Sequence, residues 1–275
     1  MPANYSTVFT TKDIINRCAK AEVSEYTSDP IISYLRPKFS SKLVGKTFDF
    51  HFGNQDISYR FDRHFLLWRE NGGEWNEEYC EVLESSREGV FLVHHLRTHV
   101  NPYEAATLIL DVGAELVTCI WDRLGQKSMN RDVNRTVLFG WWGEKKTALH
   151  CYTDDLVCKT IDWKFTDEAT IHMSFVNVQC LAFTSPKPVS LPGWSSYFWT
   201  FNPTKYLKIA EDLYVISFYA PYQSGMEVTL LMDLRKMKAL GASFGFDSTD
   251  KFTSCTFGAI GAFAQFAFIG EYAVE

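Results

Sequence analysis

Residues 43–52 read LVGKTFDFHF, and residues 156–165 read LVCKTIDWKF. Six of the ten positions are identical at an offset of 113. Two further pairs follow in the same order: EGVFLV (88–93) with EDLYVI (211–216), and ATLILD (106–111) with VTLLMD (228–233), at offsets of 123 and 122. Matches that keep both order and near-constant spacing mark an internal duplication, which governs how every other segment is read. The offset grows from 113 to 123, so the second copy carries an insertion of about ten residues, expected in the proline-rich TSPKPVSLPGW (184–194). The junction between copies is expected near GEKKTALHCYTDD (143–155).

Within each copy the chain runs through short segments rich in Phe, Val, Tyr, Thr and Trp, such as KTFDFHF, ISYRF, HFLLW, YCEVLE, GVFLVHH, ATLILD and LVTCIWD. Turn residues separate them at intervals of roughly 8–12 residues, which predicts antiparallel strands in a sandwich or barrel. The first of them alternates: Val44, Lys46, Phe48, Phe50 and Phe52 share one face, and Thr47, Asp49 and His51 the other. An aromatic content of 16% suits strands better than helices. A unit of roughly 110–125 residues fits a barrel of about eight to ten strands able to hold one small ligand. A short helix is expected over TTKDIINRCAKAE (10–22), where apolar residues recur at helical spacing after a capping threonine. The expected organisation is a helix and loop over 1–42, a first barrel over 43–148 and a second over 149–275.

Net charge is −6 and no Lys/Arg cluster occurs, which argues against nucleic acid or an acidic membrane as partner. The amino-terminal residues lack a signal-peptide pattern, and no apolar run reaches the roughly 20 residues of a membrane span. Seven cysteines, odd in number and scattered, read as reduced thiols, so a cytoplasmic location is expected.

FLVHHLRTH (91–99) concentrates three of the seven histidines beside an arginine. On a strand His94 and His95 point to opposite faces, and His95 and His99 lie about 13 Å apart, so the segment does not chelate one ion. No His-x-His, His-Glu-x-x-His or Cys-x-x-Cys spacing occurs, and no metal is expected. No Gly-x-Ser-x-Gly elbow, phosphate loop or dinucleotide fingerprint is present, so any chemistry is expected to need no cofactor. Asp111 and Asp233 close equivalent strands in the two copies and are expected to cap turns.

The duplicated pattern resembles the MoaF-like proteins, whose halves are each similar to a calycin (lipocalin-like) barrel. The first half also resembles the phenolic acid decarboxylases of the same structural group. The residues that carry the resemblance are GKTFDFHFGN (45–54), the Glu-Tyr of EEYCEV (77–82), EGVFLVHHLR (88–97) and the strand ending at Asp111, and it spans about 43–250. It implies an all-β fold of two tandem lipocalin-like antiparallel barrels. In the decarboxylase register, two active-site tyrosines correspond to Phe50 and Phe52, an arginine falls near Glu78, and a glutamate falls on Arg97. The acid–base pair is thereby reversed, which departs from the decarboxylases' own chemistry.

By the same register Val93, His95 and Arg97 face the lumen and His94 faces outward. A buried arginine requires a counter-charge; Glu78 is the expected one, with Tyr79 as an alternative hydrogen-bond partner. The expectation is a cofactor-independent enzyme acting on a small aromatic or hydrophobic metabolite as an isomerase, cyclase or lyase. Arg97 would bind an anionic oxygen, His95 would move a proton, and Glu78 and Tyr79 would orient the substrate. Phe48, Phe50, Phe52, Trp68 and Val93 would line the cavity. The alternative is a carrier that binds such a metabolite without turning it over, and a homodimer is left open. In the second copy Phe218 and Ala220 stand where His95 and Arg97 stand in the first, so chemistry is assigned to the first barrel. Tyr206, Tyr219 and Met173 are expected to line a more apolar second lumen.

Overall fold

The computed structural model describes residues 35–98, 104–124, 133–167, 169–184, 199–220, 225–246 and 252–264. Among these residues every regular element is a β-strand, and the helix expected over 10–22 lies outside them. No helix among them is long and apolar enough to cross a membrane. Strands β1 (Thr47–Phe52), β2 (Gln55–Phe61), β3 (Phe65–Glu70), β4 (Asn76–Glu84), β5 (Val90–Leu96), β6 (Glu104–Asp111), β7 (Leu116–Leu124) and β8 (Val133–Trp141) each pair with the next. Pairing of β1 with β8 at His51 and Trp141 closes the barrel. Closure depends on Gly140, because a Cβ there would lie 2.5 Å from the His51 carbonyl oxygen and 2.6 Å from a Phe52 ring carbon.

After a two-residue strand β9 (Cys151–Tyr152), the plan repeats as β10 (Thr160–Lys164), β11 (Thr170–Asn177), β12 (Cys180–Thr184), β13 (Trp199–Ala210), β14 (Leu213–Ala220), β15 (Met226–Asp233), β16 (Lys238–Phe246) and β17 (Phe252–Phe263). Pairing of β10 with β17 and of β12 with β13 closes this second eight-stranded barrel, and β9 adds to the side of β13. The internal repeat is therefore one barrel per copy. Its equivalences extend to backbone detail: Gly45 (φ 79°) and its counterpart Cys158 (φ 64°) both take the left-handed turn that leads into the opening strand. β12 and β13 are joined through residues 185–198, whereas β3 and β4 are joined through 71–75, which places the extra residues at the expected insertion.

Each lumen is packed with the inward row of its strands. In the first barrel these include Phe48, Phe50, Phe52, Ile57, Tyr59, Phe61, Trp68, Val93 and Leu108. Trp142 plugs the end where β1 begins, with its ring centroid 5.2 Å from that of Phe48 and 5.4 Å from that of Phe50. In the second barrel Trp163, Met173, Phe183, Tyr206 and Phe218 fill the equivalent space. Tyr219, expected there, belongs to the other face: it neighbours Phe218, whose ring meets Phe183 inside, and successive strand residues point oppositely.

The two barrels lie wall to wall. Leu83, Leu92, Ile109 and Ile120 on the outside of the first pack against Leu207, Leu213, Val215, Leu231 and Leu240 on the outside of the second. Phe39, from the segment leading into the first barrel, joins this seam. Charged side chains within the seam are paired, whereas the buried Thr229 hydroxyl there has no hydrogen-bond partner among the described residues. Arg135 of β8 meets Asp122 of β7 at 2.6 Å and Glu227 of the second barrel at 2.7 Å, and it also hydrogen-bonds Ser217. Glu81 accepts hydrogen bonds from the Thr256 amide (2.8 Å) and hydroxyl (2.5 Å). Asp111 accepts from the Ala114 amide at 3.1 Å and Asp233 from the Arg235 amide at 3.0 Å, as turn caps do. Asp233 also accepts from Ser86 of the other barrel at 2.7 Å.

Candidate functional site

The site is assembled where β3, β5 and β7 end and β6 begins, at the mouth opposite the Trp142 plug. The register pairs Cys80 with His95 and His95 with Ala106, and Val93, Cys80 and Ala106 belong to the inner core, so His95 and Arg97 face inward. The Arg97 guanidinium lies between two indoles, with its carbon 4.1 Å from the centroid of a Trp68 ring and 3.6 Å from that of a Trp121 ring. Cation–π stacking of this kind gains strength when water is excluded, and Arg97 is only 2% exposed. Its charge is met by Glu70 at the end of β3 and by Glu104 at the start of β6, the latter at 3.7 Å. Glu104 is fully buried; it also pairs with Arg123 and accepts from the Trp121 indole N–H at 3.1 Å.

His95 sits one step deeper. Its Nδ1 lies 2.8 Å from the Leu96 carbonyl oxygen, which only accepts, so Nδ1 carries the proton and Nε2 the lone pair. The Tyr59 hydroxyl, 3.2 Å away, then donates to Nε2. Burial lowers the His95 pKa to about 3, with nearby Arg97 acting in the same direction, so the ring is neutral at ordinary pH. Burial also pushes the Tyr59 hydroxyl well above its usual range and the Cys119 thiol up to about 12. Among the described residues, no group of three or more His, Cys, Asp or Glu is placed to hold a metal ion.

Of the residues singled out from the sequence, Phe48, Phe50, Phe52, Trp68, Val93, His95 and Arg97 line or cap the first lumen. Glu78 is buried at the same level, where its carboxylate accepts from the Thr98 amide (2.6 Å) and hydroxyl (2.8 Å). Tyr79 points to the other side of β4, where its ring meets Phe65 with centroids 6.3 Å apart. His94 faces outward as expected, into the seam with the second barrel, and joins Thr107 and Ser254, each at 2.9 Å. The sequence reading did not single out Tyr59, Glu70, Glu104, Trp121 or Arg123. Strand parity contains a signal for three of them. Tyr59 is in phase with Ile57 and Phe61, Glu104 with Ala106 and Leu108, and Trp121 with Val117 and Cys119.

Among the described residues the site has no equivalent in the second barrel. Following the pairings outward from β10 and β14, the counterparts of Tyr59, Trp68, His95, Arg97 and Trp121 are Met173, Phe183, Phe218, Ala220 and Ser243.

The histidines make acid sensitivity predictable. Both ring pKa values lie below the ordinary 6.5, at about 4 for His94 and about 3 for His95, each lowered first by burial. A depressed folded-state pKa contributes stability that is present above the unfolded value and lost as pH falls through the folded one. Unfolding free energy should therefore decline from pH 6.5 downward, each ring adding a slope of up to about 1.4 kcal/mol per pH unit. Urea melts of His94→Gln and His95→Gln across this range should each show a shallower decline than the parent chain; an unchanged slope would exclude the assignment.

A family model for the MoaF N-terminal domain matches residues 32–126 and again 146–247. The chain belongs to the MoaF family. One model matching twice identifies each barrel with one copy of the MoaF domain, and the matched segments run through β1–β7 and β10–β16. The Arg97 cluster falls in the first MoaF copy, and the apolar counterparts fall in the second. No curated protein matches this MoaF chain.

Proposed function

We propose that the first MoaF barrel is a binding protein for a small hydrophobic or aromatic molecule, held in the lumen at the Arg97 end. The observation that carries this reading is the condition of the polar groups there. Arg97 is ion-paired, His95 is neutral, and the Cys119 thiol is held protonated, so the site is suited to hydrogen bonding and stacking. The eight-stranded antiparallel meander around an apolar interior supports reading both barrels as lipocalin-like. The six free cysteines among the described residues support a reducing compartment such as the cytoplasm.

The test is titration of the full chain with an apolar fluorescent probe. A saturable enhancement that Trp68→Ala weakens at least fivefold is expected. Enhancement that rises without saturating, as on a solid barrel, would remove the proposal. A second reading, a cofactor-independent isomerase, cyclase or lyase, draws its support from the Tyr59–His95 hydrogen bond inside the lumen. Under it, His95→Gln abolishes turnover of a ligand found by binding while leaving the affinity within about twofold.

A further inference from the structure

Two inward-facing hydrogen-bond donors at the mouth of the first barrel have no partner among the described residues. The Trp68 Nε1–H and the Arg97 Nε–H are both buried from water and both unmet. A buried donor left unmade costs about 1–3 kcal/mol, and native structures seldom carry two side by side. The groups are close neighbours, because the Arg97 guanidinium carbon stacks 4.1 Å from the Trp68 ring centroid. Nearby groups do not supply the missing acceptors. The Glu70 carboxylate takes the Arg97 Nη2–H, and the Glu104 carboxylate takes the Trp121 and Arg123 N–H groups.

We propose that the first barrel's mouth takes an uncharged, largely apolar molecule that presents a carbonyl oxygen to the Trp68 Nε1–H and Arg97 Nε–H groups. This rests on the binding reading above and narrows its ligand class. The charge inventory of the described residues argues against the obvious alternative, an organic carboxylate drawn to the arginine. Arg97 and Arg123 face Glu70 and Glu104, two cations against two carboxylates. An incoming anion would find the guanidinium already neutralised and would sit beside buried like charges, at high electrostatic cost. A ketone, ester, amide or quinone carbonyl brings two lone pairs and no net charge. The apolar rest of such a molecule would meet the rings of Tyr59, Phe61 and Trp68 on the inner wall of the lumen. In the second barrel Trp163 also has an unmet indole N–H, but Ala220 replaces the guanidinium, so the paired donors belong to the first barrel alone among the described residues.

The experiment uses three probes of one shape on the full chain near neutral pH, followed by tryptophan fluorescence and calorimetry: 2-acetonaphthone, 2-naphthoate and 2-ethylnaphthalene. The ketone is expected to bind about tenfold more tightly than either of the others, equivalent to about 1.4 kcal/mol. In Trp68→Phe, which keeps an aromatic ring and loses the N–H, the ketone should fall to the affinity of the hydrocarbon while the hydrocarbon is unaffected. Equal affinity of ketone and hydrocarbon, preference for naphthoate, or a ketone preference surviving in Trp68→Phe each overturns the carbonyl assignment and leaves the binding reading standing. If none of the three saturates, the binding reading itself falls. Should Trp68→Phe fold poorly, the infrared carbonyl stretch of the ketone bound to the unaltered chain decides. A shift to lower frequency than in hexane supports the assignment, and an unshifted band overturns it.

Discussion

Replacing Arg97 with methionine should lower the unfolding free energy by about 3 kcal/mol, measured by urea denaturation near neutral pH. The substitution keeps apolar bulk between Trp68 and Trp121 but removes the cation that neutralises Glu70 and the fully buried Glu104. Breaking a buried pair from one side costs more than the pair contributes, because the remaining charge is left in a poor solvent. Arg123 still reaches Glu104 from the solvent side, which holds the loss to the lower end of the usual range. Glu104→Gln in the Arg97→Met background should therefore restore part of the stability, whereas Arg97→Lys should not restore it, since an ammonium cannot stack between two indoles as a planar guanidinium does. A loss under about 1 kcal/mol would mean that the wall does not depend on this charge.

The seam should respond as strongly. Arg135→Met strips the buried Asp122 carboxylate of its cation at the barrel contact, beside Glu227, with an expected cost of about 3–5 kcal/mol. Burial raises the Glu227 pKa to about 8; Asp122 pushes the same way and Arg135 opposes. A raised folded-state pKa contributes stability that is present below the unfolded value and lost as pH rises through the folded one. In the parent chain this contribution should thus fade between about pH 4.5 and pH 8, and Glu227→Gln should remove that decline. Removing Arg135 withdraws the group that opposes the rise, so the decline should extend to higher pH. Denaturant midpoints of the three chains at pH 5 and pH 8 separate these outcomes, and equal pH dependence in all three would refute the Glu227 assignment.

Much of this could be read from the sequence, and the division has a physical cause. β1 shows clean alternation because its outer face meets water, so its exposed Thr47 and Asp49 punctuate the buried phenylalanines. Its inward residues were identifiable one by one. β5 is buried at every position, with the lumen on one side and the second barrel on the other. Alternation in polarity disappears when both faces are covered, and VFLVHHL carries no internal sign of which histidine points inward. The family register supplied the orientation that periodicity could not, and the duplication added that the barrel plan requires neither His95 nor Arg97, because FYA (218–220) holds their places in the second copy. What stayed hidden was the identity of Arg97's partners. Glu78 lies at the matching level of β4, yet its carboxylate turns to Thr98, while Glu70 and Glu104 arrive from strand ends whose register only the closed barrel defines. Tyr219 shows the reverse error, since a residue type suited to a lumen stands on the wrong parity.

The seam also bears on what may be cut from what. A chain divided near residue 148 would yield two complete barrels by strand count, each closed on itself. Yet the first would turn Leu83, Leu92, Ile109 and Ile120 to water and strip His94, Glu81 and Arg135 of the Ser254, Thr256 and Glu227 partners they meet across the seam. The second would expose Leu213, Val215 and Leu231 in the same way. Neither half carries a complete surface of its own. The boundary visible in the sequence is thus a record of copying, and the smallest piece able to stand alone in water is the pair.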